Sequence, residues 1–105
     1  MFGLKRDYHS PATLNRVLQL MHAHQPVTGT ELGKRARVSG LYTPRANPTT
    51  RKDQAWAARV AGELLEIGLV KRTYHHVGYR HELRYSLTSR GLSHLELTRA
   101  NPAQG

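Results

Sequence analysis

Cysteine is absent from the 105 residues, which excludes disulfides, thiolate metal sites and cysteine nucleophiles together, leaves packing as the source of stability and fits a reducing compartment. Acidic residues are scarce: 7 Asp and Glu stand against 16 Lys and Arg, giving a formal net charge of +9 and a pI near 10.7. A surface with that many uncompensated cations gains free energy by displacing counterions from a polyanion, so nucleic acid leads the partner classes. No run approaches the ~18–20 apolar residues needed to span a bilayer, and no membrane partner is expected. Lys5, Arg6 and Asp7 lead into Tyr8, His9 and Ser10 without the apolar core of a secretion signal, so a cytoplasmic location is expected. Motifs of catalysis are also missing: there is no Walker loop, nucleophile elbow or zinc-protease helix. Glu63 and Glu66, three apart with Arg59 nearby, read as surface charge rather than as an acid–base pair. Neither an enzyme nor a cofactor is expected.

What is present suits one folded domain over residues 1–105, with a core at about 11–98, a short N-terminal arm and a frayed C-terminal tail. Ser10 followed by Pro11 marks a helix start, and Leu14, Val17, Leu18 and Met21 form one apolar stripe on a helix from about Pro11 to His24, which Gln25 and Pro26 end. Thr28 or Thr30 caps a shorter helix to about Arg37, with Glu31 near its positive end and Lys34, Arg35 and Arg37 toward its negative end. Its apolar edge, Leu32, Ala36 and Val38, is narrow enough that neighbours must hold it. SGLYTPRANP, from Ser39 to Pro48, reads as loop.

Thr49 and Thr50 supply cap candidates for a third helix, whose core face takes Asp53, Ala57, Val60, Leu64 and Ile67. Trp56 flanks that face and is expected to pack in the core. Gly68 ends the helix. Leu69 to Tyr74 and Leu83 to Leu87 read as two strands of a hairpin, with Gly78 at the turn. Thr88 caps a final helix carrying Leu92, Leu95 and Leu97. The expected fold is therefore mostly α with a small β-hairpin.

The order helix, helix, helix, hairpin, helix resembles a winged helix-turn-helix DNA-binding domain: a three-helix core, a two-stranded wing and a C-terminal helix. Two segments carry the resemblance. LLEIGLVKR, residues 64–72, resembles the end of a recognition helix passing through Gly into the first wing strand of MarR-like and PadR-like transcriptional regulators. YSLTSRGL, residues 85–92, resembles their second wing strand and the helix start that follows it. One departure is the interval from Ser39 to Thr50, longer than the usual tight turn, which adds a contact surface through Tyr42, Arg45 and Asn47.

The resemblance implies a sequence-specific regulator of double-stranded DNA, expected to repress by steric exclusion because no activating surface or effector pocket is evident. Helix 51–67 would read the major groove and wing 70–87 would grip backbone or minor groove. With Leu64 facing the core, Ala55 lies opposite it between Arg51 and Arg59, and Ala58 and Gly62 share that side. Small residues between arginines let a helix approach the groove floor, so Arg51 is the favoured base reader, with Thr50, Lys52 and Gln54 beside it at the helix start. Lys34, Arg35 and Arg37 would clamp backbone, and Arg45 would add a loop contact. Wing candidates are Lys71, Arg72, His76, Tyr79, Arg80 and His81, with His75 and Arg84 nearby and Arg80 suited to a minor groove.

No metal is expected from spacing: His22 and His24 point in different helical directions, and His75, His76 and His81 have no carboxylate or cysteine companions at familiar ligand spacing. Two other functions suit the same fold, a winged-helix protein-interaction adaptor and a replication or recombination accessory factor with little sequence preference. A homodimer reading half-sites one helical turn apart is a further expectation, with the first and last helices and Phe2, Leu4 and Tyr8 as candidate anchors.

Overall fold

A computed structural model describes residues 9–100, with side chains described to Thr98. The anchors Phe2, Leu4 and Tyr8, the N-terminal arm and the tail beyond Ala100 lie outside the described residues. In chain order the elements are α1 (Pro11–His24), β1 (Val27–Thr28), α2 (Gly29–Val38), α3 (Thr50–Glu66), β2 (Val70–Val77), β3 (Arg80–Leu87) and α4 (Ser89–Ala100). Among the described residues no helix is long and apolar enough to cross a membrane.

The helix starts follow from their caps. The hydroxyls of Ser10, Thr28 and Thr49 accept from the backbone N–H groups of Thr13, Glu31 and Lys52, each satisfying an amide that has no partner within its helix. Thr88 does the same for α4, accepting from Gly91 N at 3.0 Å while its hydroxyl donates to the Gly68 carbonyl at 2.8 Å. This one side chain ties the start of α4 to the exit of α3.

The core is one cluster. Val17, Leu18 and Met21 from α1, Leu32 from α2 and Ala57, Val60, Ala61 and Leu64 from α3 meet Val70, Tyr85 and Leu87 of the sheet and Leu95 of α4. Fully burying a Leu, Val or Met side chain contributes about 1.5–3 kcal/mol, so α2, marginal alone, is held by what covers Leu32. Four of the expected apolar positions fall outside the cluster. Val38, at the last position of α2, is 74% exposed, Ile67 is the exposed C-cap of α3, and Leu92 and Leu97 of α4 face outward, leaving Leu95 as that helix's buried leucine. Helical spacing defines a face, and helix ends run off the neighbour that the face packs on.

The sheet differs from the expected two-stranded wing. It has three strands in the order β1-β3-β2, both pairings antiparallel, with Val27 opposite Tyr85 and Thr28 opposite Arg84. β1 is two residues long, too short to show an alternating pattern; Val27 is buried and Thr28 goes on to cap α2. The wing strands are also longer than expected, because the polar HHV and RHE segments pair across Gly78–Tyr79 as fully as the apolar residues below them. Gly78 has φ +62° with open space around its α-carbon, the geometry of a two-residue hairpin turn whose first central residue is glycine.

Candidate nucleic-acid interface

α3 presents two faces of opposite chemistry. Its inner face buries Asp53, Ala57, Val60, Ala61 and Leu64. Its outer face exposes Thr50, Arg51, Gln54, Ala55, Ala58 and Arg59, with the two alanines lying between the arginines. Among the described residues no ion pair reaches Arg51 or Arg59. The half-buried Lys52 reaches back instead, its Nζ donating to the Asn47 carbonyl at 2.9 Å, which ties the end of the long loop to the helix start.

Asp53 organises the ground beneath this ridge. Its side chain is 4% exposed, and its carboxylate accepts from Arg37 Nε at 3.0 Å and Arg37 Nη2 at 3.2 Å, a two-pronged ion pair between α2 and α3. The Tyr42 hydroxyl donates to the same carboxylate, and the Tyr42 ring stacks on Trp56 with centroids 4.9 Å apart. The Arg37 hydrogen bonds, outweighing burial and aided by Tyr42, hold the Asp53 carboxyl below its ordinary value. Burial, followed by its bond to Asp53, raises the Tyr42 hydroxyl, and the bond to Asp53 raises Arg37.

These contacts correct two expectations. Arg37 is not a free backbone clamp, because its guanidinium is spent on an internal carboxylate. Tyr42 is not an outward loop contact, because its ring lies against Trp56 and its hydroxyl against Asp53. The signal for this network was present in the chain: an aspartate among the apolar positions of α3 has to find cationic or hydrogen-bonding partners to be buried. Spacing does not say which arginine answers it. Trp56, half-buried against the core as expected, receives the edge of His9 as well. Glu63 is also not surface charge: it is 12% exposed and accepts from His9 N at 2.8 Å, with His9 Nδ1 2.5 Å from its other oxygen.

The remaining cations divide into groups. Lys34 and Arg35 are exposed and line an open groove that α2 forms with Leu20 and His24 of α1; Arg35 lies 4.0 Å from Glu31 one helical turn earlier. Arg45 is exposed on the loop with Asn47. In the wing, register separates the candidates. Arg72, Tyr74 and His76 lie opposite Tyr85, Leu83 and His81, on the face that continues from the buried Val70 and Leu87. Lys71 and Arg80 project from the other face with Thr73, His75 and Val77. Arg84 is paired internally with Glu82, Nε to Oε1 at 2.7 Å. Tyr79 sits fully exposed in the turn, where the two faces meet.

Three helices, a short strand that caps the second of them, a long exposed hairpin directly after the third and a closing helix are now in place. The fold is a winged helix. Solved structures agree: the chain superposes on a PadR-like transcription factor from Bacteroides fragilis with a TM-score of 0.62 at 14% identity, over 89% of this chain and 82% of that one. A Streptococcus mutans protein gives a TM-score of 0.60 at 14% identity, over 88% and 76%. A mutant of Lactococcus lactis ZitR gives 0.61 at 16% identity, over 99% of this chain and 60% of that one. No family model matches the chain, and no curated protein matches it in sequence. Identity this low carries the winged-helix fold and leaves the side chains to be read on their own chemistry.

Proposed function

We propose that this winged helix is a sequence-specific double-stranded DNA-binding transcriptional regulator that represses by occupying its site. The observation that carries the reading is the outer face of α3, where Arg51 and Arg59 stand exposed on either side of Ala55 and Ala58 while Arg37, beneath them, is neutralised by Asp53. A helix with that profile enters a major groove with its arginines free for guanine edges or phosphates. Thr50, Lys52 and Gln54 complete the contact at the helix start. The wing grips beside it, Lys71 and Arg80 from one face, Arg72, His76 and His81 from the other, Tyr79 at the tip. Lys34, Arg35 and Arg45 supply further phosphate contacts. Two copies bind one operator as a homodimer, because one domain offers few base contacts and a second doubles them across a two-fold axis.

Selection of bound sequences from random duplex DNA, followed by competition with excess nonspecific duplex, tests this. An enriched palindromic motif bound ~10³-fold or more above nonspecific DNA is the expected result. Salt-sensitive binding without a motif would establish the accessory-factor reading instead. Failure to bind duplex at low salt, with a protein partner retained when Arg51, Arg59 and Arg80 are neutralised, would establish the adaptor.

A further inference from the structure

The turn at Gly78–Tyr79 decides what happens one rung further in. A two-residue turn closes on a hydrogen-bonded pair, here Val77 opposite Arg80, and pairs alternate in kind along an antiparallel ladder. The next rung is therefore of the close, non-hydrogen-bonded kind, with Cα atoms about 4.5 Å apart and both side chains on one face. That rung is His76 opposite His81. Their rings lie 4.3 Å apart between centroids at an angle of 57°, and both are exposed. His75, one residue away, projects from the other face beside Thr73 Oγ1, 2.9 Å from its Nε2.

We propose that His76 and His81 form a two-histidine site for a divalent late transition-metal ion, Cu(II) in preference to Ni(II) or Zn(II). Each neutral imidazole offers one lone pair, and two metal–nitrogen bonds of about 2 Å bring the donor nitrogens to about 3 Å from each other, a spacing that ring rotation on this rung provides. Copper leads because affinity of nitrogen sites peaks there among divalent first-row ions. Among the described residues no third histidine or carboxylate joins the pair, so water fills the other positions and the site is open rather than closed. Arg80, next to His81 in the strand, opposes a cation, and Glu82, on the other face, is engaged by Arg84. The affinity is accordingly well below that of a four-ligand site. The bound ion bridges the two strands close to the tip and places a dication beside Arg80. Any effect of that charge on duplex affinity rests on the functional reading above, but metal binding itself does not.

The test is calorimetric titration of the full-length chain with Cu(II), and separately with Zn(II), while the histidine ring resonances are followed by NMR. One ion per chain is expected, with the rings of His76 and His81 broadened first by Cu(II). His76→Ala and His81→Ala each weaken that site at least tenfold, and His75→Ala leaves it unchanged. Thermal melts of the three variants, all altered at the wing and outside the core, verify that they fold. A titration unchanged in both His76→Ala and His81→Ala would overturn the proposal. So would an equal loss in His75→Ala, or first broadening at His22, His24 or His94. Duplex binding measured in chelator reports on the functional reading alone, so failure of one does not disguise failure of the other.

Discussion

Gly33 of α2 passes so close to Asp53 of α3 that a β-carbon at position 33 would lie 2.1 Å from the Asp53 carbonyl oxygen and 2.9 Å from its α-carbon. The two helices cross backbone to backbone at this point, immediately beside the Arg37–Asp53 ion pair that locks the crossing. Everything proposed for the outer face of α3 depends on that angle, because α2 and the core settle how far the ridge stands out.

Gly33→Ala is expected to destabilise the fold by about 3 kcal/mol or more, since the obstructing atoms are backbone and cannot rotate away. Gly62→Ala, in the same fold but with nothing within 4 Å of the added carbon, is expected to stabilise it by about 0.5–1 kcal/mol through helix propensity alone. Urea unfolding of the two variants measures both. Equal and small effects would mean that α2 and α3 can move apart at Gly33 without loss of stability.

Stability should fall at both ends of the pH scale, for different reasons. Asp53 titrates below its ordinary 3.8 in the fold, so its contribution is complete above that value and disappears as pH falls through the lowered one. Tyr42 titrates above its ordinary 10.0, so its contribution is complete below that value and disappears as pH rises through the raised one. Asp53→Asn should flatten the acid limb and cost about 1.5–3 kcal/mol near neutrality; Tyr42→Phe should flatten the alkaline limb while keeping the stack on Trp56. Urea midpoints from pH 2 to pH 11 decide it, and an acid limb undiminished in Asp53→Asn would place the titrating group elsewhere.

The arginines of α2 and α3 should separate by phenotype. Arg51→Ala is expected to cost about 1–3 kcal/mol in duplex binding and to relax preference at one base position. Lys71→Ala should weaken all sequences alike and reduce the slope of log Kobs against log salt by about 1. Arg37→Ala should lower the melting temperature with little change in sequence preference at temperatures where the variant is folded, because its guanidinium faces Asp53. Binding isotherms at several salt concentrations, paired with melting curves, tell these apart. A uniform loss without change of preference in Arg51→Ala would reassign it to the backbone.

The chain by itself announced the four helices, the hairpin and the positions of most caps. Those signals are local: Ser10, Thr28, Thr49 and Thr88 act within one turn of themselves, and the Leu14 to Met21 stripe needs only helical periodicity. The exposed arginines of α3 were legible for the same reason, since fixing Leu64 inward fixes Ala55 outward.

Tertiary structure alone decided the rest. The pairing of Val27 with Tyr85 makes a strand of two residues that carry no pattern, and the burial of Asp53 selects Arg37 and Tyr42, sixteen and eleven positions away, from among many cations and hydroxyls. Strand register chose which wing side chains share a face, bringing His76 onto His81 and turning His75 away. Each of these is a contact between segments distant along the chain or a count of residues through a turn. A stripe or a cap is specified by neighbours in sequence, whereas a partner across the fold is specified by whichever group the packed backbone brings within reach.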